Sequence, residues 1–348
     1  MAVAETPDYP HYGPIYISAD SGGTWISNTV SPKSWVGVAS SADGTKLAAV
    51  DSVGDVYTST NSGTFSFQSS IPERLSCVAS SADGTKLVAA GLNGSIYIST
   101  NSGGTWSPSS GTSGKIWESV ASSADGTKLV AAALNDSVYT STDSGNTWIS
   151  NNLPHLTWVS VASSADGNIL AAAPGGFNLG NGPIYVSTNS GGNWTSNNSP
   201  ILAWGSVASS VDGTKLIAAA YANRFSNSIF TSTDFGVTWV SNNVPAENWS
   251  SVAASADGNI LIAVTGYGGI WTSQNTPLPH LNISSMNGNL AFSWIIPSTN
   301  FVLQQNLDLT TTNWLTLTNT PTLNLANLQD QVMLSPFNGT GFYRLATP

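Results

Sequence analysis

Within the repeated part of the chain, six carboxylates lie outside the repeated turns and are the candidates for acid–base chemistry. They are Asp51, Asp55, Glu73, Glu118, Asp136 and Glu247. A glycosidase needs two carboxyl groups at one glycosidic bond, one to donate a proton and one to attack or to activate water. The six share no motif and are spread over several repeats, so we interpret them as solvated loop charges. The sequence therefore predicts no catalytic residues and no enzymatic activity.

The other reactive side chains are few and isolated. His11, His155 and His280 are far apart and show no metal-ligand spacing. The single cysteine, Cys77, lies in an apolar strand and has no partner for an internal disulfide, so we expect a small buried hydrophobic side chain. No Gly-rich phosphate loop is present in the sequence. We therefore predict no cofactor and no bound metal.

A short turn occurs six times and is the most regular feature of the chain. Each copy starts with Asp or Asn and continues as Ser-Gly-x-Thr-Trp or a close variant. The copies start at Asp20, Asn61, Asn101, Asp143, Asn189 and Asp234, and five of them end at Trp25, Trp106, Trp148, Trp194 and Trp239. Carboxylates in such turns can bind calcium, but Asn in half of the copies argues against a cation. We expect each side-chain oxygen to accept hydrogen bonds from its own turn.

These turns belong to a larger unit, which is clearest between Trp117 and Trp148. Each unit reads as four short strands, because its apolar runs are rich in Val, Ile, Tyr and Thr and are closed by Gly, Asp or Asn. Full units begin at Trp35, Leu75, Trp117, Trp158, Trp204 and Trp249, and their Asp-Gly turns recur every 40 to 46 residues. A four-stranded repeat of this length predicts the blades of an all-β propeller. We name the strands a to d from the axis outward.

The c–d turns resemble the Asp-box, or BNR, motif of sialidase-like β-propellers, over roughly residues 13 to 275. The resemblance implies a structural role, in which the carboxylate binds turn N–H groups and the aromatic residue packs between neighbouring sheets. Sialidases of that family also need three arginines, a Tyr–Glu pair and an acid. This propeller region contains only Arg74 and Arg224, so the resemblance implies a non-catalytic member.

The strand count raises a problem of ring closure. There are six strands a but seven c-like strands, because the first repeat (15–28) lacks strands a and b and the last ends at Ser273 without a box. Six blades are favoured, with the N-terminal hairpin as an extra strand of the closing blade. A seventh blade, or exchange with a neighbouring subunit, is the alternative. Unpaired edges favour association, which leads us to expect a homopolymer that forms through this junction.

The repeat ends at Thr276, so we predict a propeller over 1–275 and a second domain over 276–348. About six strand-like segments in this second part predict a small β-sandwich. The segment 300–309, with Trp314 and the terminal stretch 341–345, resembles the immunoglobulin- or fibronectin-like tails of large secreted bacterial repeat proteins. This resemblance implies an accessory or surface-attaching module.

Two groups of residues could form a binding surface on the face that carries the b–c and d–a loops. Blades 4 and 5 carry adjacent loop insertions, which supply Phe177, Tyr221, Arg224 and Phe225. Strand a opens with an aromatic residue in five units, at Trp35, Trp117, Trp158, Trp204 and Trp249. These Trp residues either pack between blades or form a repeated ligand surface, since Trp also stacks well on sugars.

Composition limits the partners and the location. Only 8% of the 348 residues are charged, which is typical of secreted or cell-surface β-proteins. The net charge of −10 argues against nucleic acid as a partner. The sequence contains no run of 18 apolar residues, so we predict no membrane insertion. We expect an extracellular interaction protein that self-associates into a homo-oligomer or filament. The alternative is a lectin-like glycan binder, supported by repeated Asn-Asn-x-Pro segments in the d–a loops, with a glycoside hydrolase as a distant third.

Overall fold

The regular elements of the described part of the chain are β-strands. The computed structural model describes residues 2–4, 12–28, 30–61, 63–175, 181–196, 198–221, 228–242, 244–245, 247–266, 269–274, 281–286, 288–295, 301–308, 310–324, 329–335 and 341–346. Within these ranges no helix is long and apolar enough to cross a membrane.

Five antiparallel sheets contain the four predicted strands in the order a-b-c-d. We number them as sheets 1 to 5. Their strands are Trp35–Ser40, Leu47–Asp51, Asp55–Ser59 and Ser66–Ser70 in sheet 1; Leu75–Ser80, Leu87–Gly94, Ile96–Ser99 and Ser107–Pro108 in sheet 2; Lys115–Ser122, Leu129–Ala133, Val138–Ser141 and Ile149–Ser150 in sheet 3; Trp158–Ser163, Leu170–Pro174, Tyr185–Ser187 and Thr195–Ser196 in sheet 4; and Trp204–Ser209, Leu216–Ala220, Ile229–Ser232 and Val240–Ser241 in sheet 5. The fold is an all-β propeller, as the sequence predicts.

Two three-stranded sheets stand at the ends of this series. Sheet 6 consists of strands a, b and c at Trp249–Ala254, Ile260–Thr265 and Ile270–Gln274. The N-terminal sheet consists of Ala2–Ala4, Ile15–Ile17 and Ile26–Ser27. Ala2 pairs with Ile17 in the register that Ala48 adopts with Thr58 in sheet 1, so Ala2–Ala4 is a strand b. The expectation that the first repeat lacks both a and b is therefore wrong for strand b.

The N-terminal sheet lies between sheet 6 and sheet 1. A Cβ on Gly22 would lie 2.6 Å from Thr272 in strand c of sheet 6, and the corresponding Gly191 of sheet 4 faces Thr140 of sheet 3 at 2.8 Å. On the other side, the Asn28 side chain donates to the Gly63 carbonyl of sheet 1. The hairpin is thus not an extra strand of the closing blade, because residues 2–4 give it a partner of its own. Seven sheets follow one another among the described residues, and the N-terminal sheet contacts both sheet 6 and sheet 1 of the same chain.

Side-chain packing joins each sheet to the next. The first residue of strand a lies in a buried cluster with strands b and c of the preceding sheet, as Trp158 does with Ala132 and Val138. Strand b supplies small residues at this position, which leaves room for the indole ring. Each of these Trp rings also meets an aromatic residue of its own strand c edge to face, for example Trp117 and Tyr139 at 5.3 Å. The core is therefore divided into repeated layers between sheets.

The a–b turns add a line of backbone hydrogen bonds between sheets. The N–H of Ala82 donates to the Ala124 carbonyl, and the N–H of Ala124 donates to the Ala165 carbonyl, both at 2.7 Å. The same bond joins Ala42 to Ala82, Ala165 to Val211 and Val211 to Ala256. Each turn is thereby fixed relative to its neighbour.

The c–d turns have the predicted hydrogen bonds. In sheet 3, Asp143 Oδ1 accepts from the Thr147 N–H at 2.9 Å, and Asp143 Oδ2 accepts from the Thr147 hydroxyl at 2.6 Å. These bonds, the hydroxyl bond first, lower the pKa of the Asp143 carboxyl. Ser144 and Gly145 follow in the left-handed region, with φ of 59° and 84°. In this structure the carboxylate stabilises the turn backbone.

Asparagine performs the same task in the other copies. Asn101 Oδ1 accepts from the Thr105 N–H at 2.9 Å, while the Asn101 amide donates to the Thr105 hydroxyl at 3.0 Å. The turn therefore needs an acceptor oxygen and does not need a negative charge. The other copies, Asp20, Asn61, Asn189 and Asp234, accept a turn N–H in the same way.

Residues 281–346 form two further sheets around a separate core. One contains Asn282–Met286, Asn289–Ile295, Gln329–Leu334 and Thr322–Asn324, and the other contains Leu315–Thr316, Val302–Asn306 and Phe342–Ala346. Phe292, Trp294 and Val332 from the first sheet share one buried cluster with Leu303 from the second. The described strands thus include Thr322–Asn324, which the sequence pattern did not indicate.

We expect Asp143→Ala to lower the free energy of unfolding by about 1–2 kcal/mol, because the Thr147 N–H loses its acceptor. Asp143→Asn is the matched control and should cost clearly less, since Asn already occupies this place in three copies. Denaturant unfolding of both variants tests the assignment. Equal destabilisation by Ala and Asn would show that charge, rather than the acceptor oxygen, holds the turn.

Candidate functional site

The b–c and d–a loops lie on one face of the propeller, here called the loop face, opposite the a–b and c–d turns. The five Trp residues that open strand a were a candidate ligand surface there. Their side chains are 0% exposed: Trp35, Trp117, Trp158, Trp204 and Trp249. Three of their indole N–H groups bond to backbone carbonyls, for example Trp204 to Gly182 at 2.8 Å. The proposal of a repeated ligand surface is wrong for these rings, because burial between sheets leaves them no contact with solvent.

The Trp residues that end the repeated Asp and Asn turns also pack between sheets. Trp148 lies against Trp117 with a ring separation of 6.4 Å and donates to Ser109 of the preceding sheet at 2.9 Å. Trp239 makes the equivalent contact with Trp204 at 6.3 Å. Trp25, Trp106 and Trp194 are likewise half-buried at this position. The geometry agrees with the structural role expected for these residues.

The predicted aromatic patch is described only in part. Phe177, Arg224 and Phe225 lie outside the described residues, as do His11 and His280. The ring of Tyr221 lies over Gly205 in strand a of its own sheet, where a Cβ would be 2.9 Å from Tyr221 Cδ2. Gly205 therefore makes room for this ring on the loop face.

The insertion of sheet 4 has firmly held ends. The Gly175 N–H donates to the Thr157 carbonyl at 2.8 Å, and a Cβ at Gly175 would lie 2.2 Å from the Trp204 nitrogen. The other end pairs Gly182 with Leu202. Any side chain at Gly175 would collide with the backbone of sheet 5, so the loop base has a fixed position.

An open cleft of about 240 Å³ lies beside this loop base, between sheets 3 and 4. Its lining combines amides, an imidazole, a hydroxyl and apolar groups: Asn135, His155, Leu156, Thr157, Pro174, Gly175 and Asn181. Asn135, His155 and Asn181 are exposed, and the Thr157 hydroxyl donates to Asn135 Oδ1 at 3.0 Å. No carboxylate lines the described cleft, whose polar side chains are amides, an imidazole and a hydroxyl that can form hydrogen bonds.

Most of the candidate acid–base residues are used in the structure of the loops. Lys33 Nζ lies 2.9 Å from Asp51 and 2.7 Å from Asp55, above the Tyr57 ring. Lys115 pairs with Asp136 above Tyr139 in the same way. Each lysine lies two residues before the buried Trp of strand a and ties that strand to the b–c loop of its own sheet. These three carboxylates are ion-pair partners within a sheet. The expectation that the candidates are solvated loop charges therefore holds only in part.

Glu73 also bonds within its own sheet, but its partner is a backbone N–H group and not a lysine. Its carboxylate accepts from the Ser95 N–H at 2.8 Å. Burial and the neighbouring Glu73 together raise the pKa of Tyr97 to about 12. Glu73 therefore anchors the start of strand c in sheet 2.

Glu118 differs from the other carboxylates. It is half-buried in strand a of sheet 3, and burial raises the pKa of its carboxyl. Glu247 lies before strand a of sheet 6 and is also half-buried. One carboxyl with a raised pKa is the pattern of a general acid, but glycoside hydrolysis needs two carboxyl groups at one bond.

Cys77 and groups of metal-binding side chains are the remaining candidates for chemistry. Burial raises the pKa of the Cys77 thiol to about 12, and the thiol lies at the Val120 N–H of the next sheet. Such a thiol is a poor nucleophile at neutral pH. Among the described residues no group of three or more His, Cys, Asp or Glu side chains is arranged to hold a metal ion.

The repeated Asn residues of the d–a loops are also structural. The Asn151 side chain is buried and donates to the Val138 carbonyl at 3.0 Å, and Asn242 donates to the Ile229 carbonyl at 3.2 Å. Both bonds attach the loop to strand c of the same sheet. Their repetition therefore reflects the repeated fold and is not a sign of repeated glycan sites.

No family model and no curated protein matches the chain. Among solved structures, the GH74 xyloglucanase from Xanthomonas campestris is similar with a TM-score of 0.60 and 18% identity, over 84% of this chain and 57% of that one. The GH74 enzyme of Niastella koreensis has a TM-score of 0.60 and 15% identity, over 98% and 68%. YCF48 bound to a D1 peptide has a TM-score of 0.57 and 16% identity, over 80% and 97%. At these identities the likeness shows a β-propeller fold.

Sequence reasoning did not identify the cleft. Its lining comes from loops that share no motif, and Asn135 and Asn181 resemble the many other turn asparagines of the chain. The loop insertion of sheet 4 was the only signal near it. The contribution of the short loop before sheet 4, with His155 and Leu156, needed the tertiary structure.

Glu118→Gln should raise the melting temperature at neutral pH. The folded-state pKa lies above the usual 4.5, so the contribution of this group to stability is present below that value and is lost as pH rises through the folded pKa. Thermal unfolding at pH 7.5 and pH 4 should therefore show a gain that shrinks in acid.

Asp234→Asn is the control of opposite sign, because hydrogen bonds from Thr238 lower the pKa of Asp234. That carboxylate stabilises the fold above its usual pKa, so the variant should be less stable than the parent at pH 7.5. A Glu118→Gln gain of equal size at both pH values would contradict the role of charge burial.

Proposed function

We propose that this protein is a non-catalytic, extracellular β-propeller that binds a neutral polysaccharide in the cleft between sheets 3 and 4. The observation that carries the proposal is the lining of that cleft. The exposed groups of Asn135, His155 and Asn181 lie beside the apolar surfaces of Leu156 and Pro174. Sugars present hydroxyl groups at their edges and C–H groups on their faces, so this combination suits them.

Two further observations support the proposal. One of the structural neighbours is a xyloglucanase, an enzyme named for a neutral polysaccharide, and it has a similar propeller fold. The low charge of the chain, 8%, supports a secreted setting. The absence of an acid pair from the described cleft lining separates binding from hydrolysis.

The proposal is tested by titrating the full chain with xyloglucan and with other neutral and acidic polysaccharides, using calorimetry. Asn135→Ala combined with His155→Ala should weaken binding about tenfold, since each lost hydrogen bond costs about 0.5–1.5 kcal/mol. Asn146→Ala is the matched control, because it removes an exposed amide on the opposite face. Unchanged affinity in the double variant would reject the cleft as the site. Release of reducing ends above background would reject the non-catalytic assignment.

Self-association is the second candidate function. Strand d presents an exposed apolar side chain directly after the box Trp in three sheets: Ile26, Ile149 and Val240, at 71%, 67% and 65% exposure. These side chains lie on the rim, where a second copy could cover them. The N-terminal hairpin is placed inside its own ring, so this proposal rests on the rim and not on strand exchange.

Sedimentation of the intact chain at high concentration distinguishes this candidate. Replacement of Ile26, Ile149 and Val240 by Ser should abolish any oligomer, because the apolar rim is lost. Deletion of residues 1–28 should then disrupt the fold of the ring and not only its assembly. A monomer at all concentrations would remove self-association as a function.

A further inference from the structure

A repeated backbone contact joins neighbouring sheets on the loop face. The residue two positions before the buried Trp of strand a pairs with a glycine that ends or follows strand b of the preceding sheet. The pairs are Lys33 with Gly13, Lys115 with Gly94, and Leu202 with Gly182. We call this contact the glycine bridge.

The glycine bridge satisfies three polar groups of the following sheet. The Gly182 carbonyl accepts from the Leu202 N–H at 3.3 Å and from the Trp204 indole N–H at 2.8 Å. In return, the Gly182 N–H donates to the Leu202 carbonyl at 3.0 Å. The same three bonds are made by Gly13 with Lys33 and Trp35. One glycine therefore pairs with a backbone N–H, a backbone carbonyl and an indole N–H.

The contact between sheets 3 and 4 lacks a glycine bridge among the described residues. Leu156 lies two positions before Trp158, but it pairs with no glycine. The facing b–c loop of sheet 3 is a short turn over residues 134–137, which the ion pair of Asp136 with Lys115 holds to its own sheet. The N–H and the carbonyl of Leu156 have no hydrogen-bond partner among the described residues. The Trp158 indole N–H is buried and is also unpaired there.

These three groups lie at the cleft between sheets 3 and 4, because Leu156 lines it together with Thr157 and Gly175. Buried polar groups without a hydrogen bond are costly and rare in folded proteins, so they mark a place where a partner binds. Trp249 also has an unpaired indole N–H, but residues 222–227 of the loop before strand c of sheet 5 lie outside the described residues.

We propose that two neighbouring hydroxyl groups of one sugar unit bind at Leu156 in the place that the glycine takes in the other contacts. One hydroxyl oxygen accepts from the Leu156 N–H and the Trp158 indole N–H, as the Gly182 carbonyl does beside Trp204. The other hydroxyl donates to the Leu156 carbonyl, as the Gly182 N–H does to Leu202. This binding mode extends the proposed function of the cleft and rests on it.

The hydrogen-bonding requirement selects the chemistry of the ligand. Leu156 and Trp158 together offer two donors and one acceptor. Hydroxyl groups both donate and accept, whereas a carboxylate only accepts and an ammonium group only donates. The site is therefore suited to the hydroxyl groups of a neutral sugar and not to an acidic or an amino group.

The need for neighbouring hydroxyls also selects the linkage of the polysaccharide. A glucose unit that is linked through O-1 and O-4 keeps its neighbouring hydroxyls at O-2 and O-3. A unit that is linked through O-1 and O-3 keeps O-2 and O-4, which are not neighbours on the ring. The inner units of a 1,4-linked chain therefore fit the site, and those of a 1,3-linked chain do not.

An extended peptide is a poorer occupant, because strand addition needs several successive backbone groups along one edge. Pro154, two residues before Leu156, has no N–H to contribute. Trp158, two residues after Leu156, is 0% exposed, so a peptide strand cannot continue beside it. The accessible edge is one residue long, which suits a pair of hydroxyls.

The first test compares two hexasaccharides of β-glucose by calorimetry with the full chain. Cellohexaose is 1,4-linked, and laminarihexaose is 1,3-linked and has neighbouring free hydroxyls only in its terminal units. We expect saturable 1:1 binding of cellohexaose, about tenfold tighter than that of laminarihexaose, because the inner units of the latter lose a hydrogen bond. This comparison needs no variant and does not depend on how a variant folds.

Substitutions of Leu156 separate its N–H from its side chain. Leu156→Pro removes the backbone N–H, whereas the matched control Leu156→Ala shortens the side chain and keeps the N–H. The Pro variant should bind cellohexaose about tenfold more weakly than the Ala variant. Circular dichroism checks that both variants fold.

Trp158→Phe removes the indole N–H and keeps an aromatic ring in the core. The matched control is Trp35→Phe, far from the cleft, where the indole N–H is bonded to the Gly13 carbonyl. In the free protein the melting temperature should fall further for Trp35→Phe, because only that variant loses a hydrogen bond. Binding of cellohexaose should weaken about tenfold for Trp158→Phe and stay at the parent value for Trp35→Phe. A merely structural role of Trp158 would not produce these opposite orders.

The outcomes separate this site from the proposed function of the cleft. If no neutral polysaccharide or hexasaccharide binds, both are rejected. If a neutral polysaccharide binds and is weakened by the Asn135 and His155 double variant, but the two linkages bind equally or Trp158→Phe has no effect, the cleft stands and the hydroxyl site is overturned. Displacement of cellohexaose by the peptide Asn-Gly-Pro-Ile, which follows residues 181–184, would make a peptide the occupant and would also overturn it.

Discussion

The propeller depends on one repeated contact, the insertion of the first side chain of strand a between strands b and c of the preceding sheet. In sheet 5 this is Trp204, which is completely buried in a cluster with Ala173 and Ile184 of sheet 4. Neighbouring propeller sheets share almost no backbone ladder, since among the described strands only sheets 2 and 3 are joined in this way. Burial of apolar surface therefore has to hold the ring together, and loss of a core Trp typically costs about 3–5 kcal/mol.

This contact also determines which side chains are accessible to a ligand. Because the five strand-a Trp rings are buried in the core, they are not accessible for stacking on a sugar. The ion pairs of Lys33 and Lys115 likewise fix loops within a sheet. What the loop face offers is a small neutral cleft, built from short segments that differ between sheets. The binding that we propose for that cleft uses amide and imidazole groups and needs no change in the structural repeat.

The sequence alone determined the local structure. The Asp and Asn turns and the four strands of each unit follow from short-range chemistry, because turn hydrogen bonds and alternating side chains depend on neighbouring residues. Tertiary structure decided the rest. Ala2–Ala4 is too short to be recognised as a strand, and only its pairing with Ile15–Ile17 places the hairpin in its own sheet. The burial of Trp35 and its equivalents and the lining of the cleft at His155 each depend on residues from different sheets. Contacts between distant segments are set by how the sheets pack around the axis, and a repeat with a constant pattern does not reveal where that packing ends.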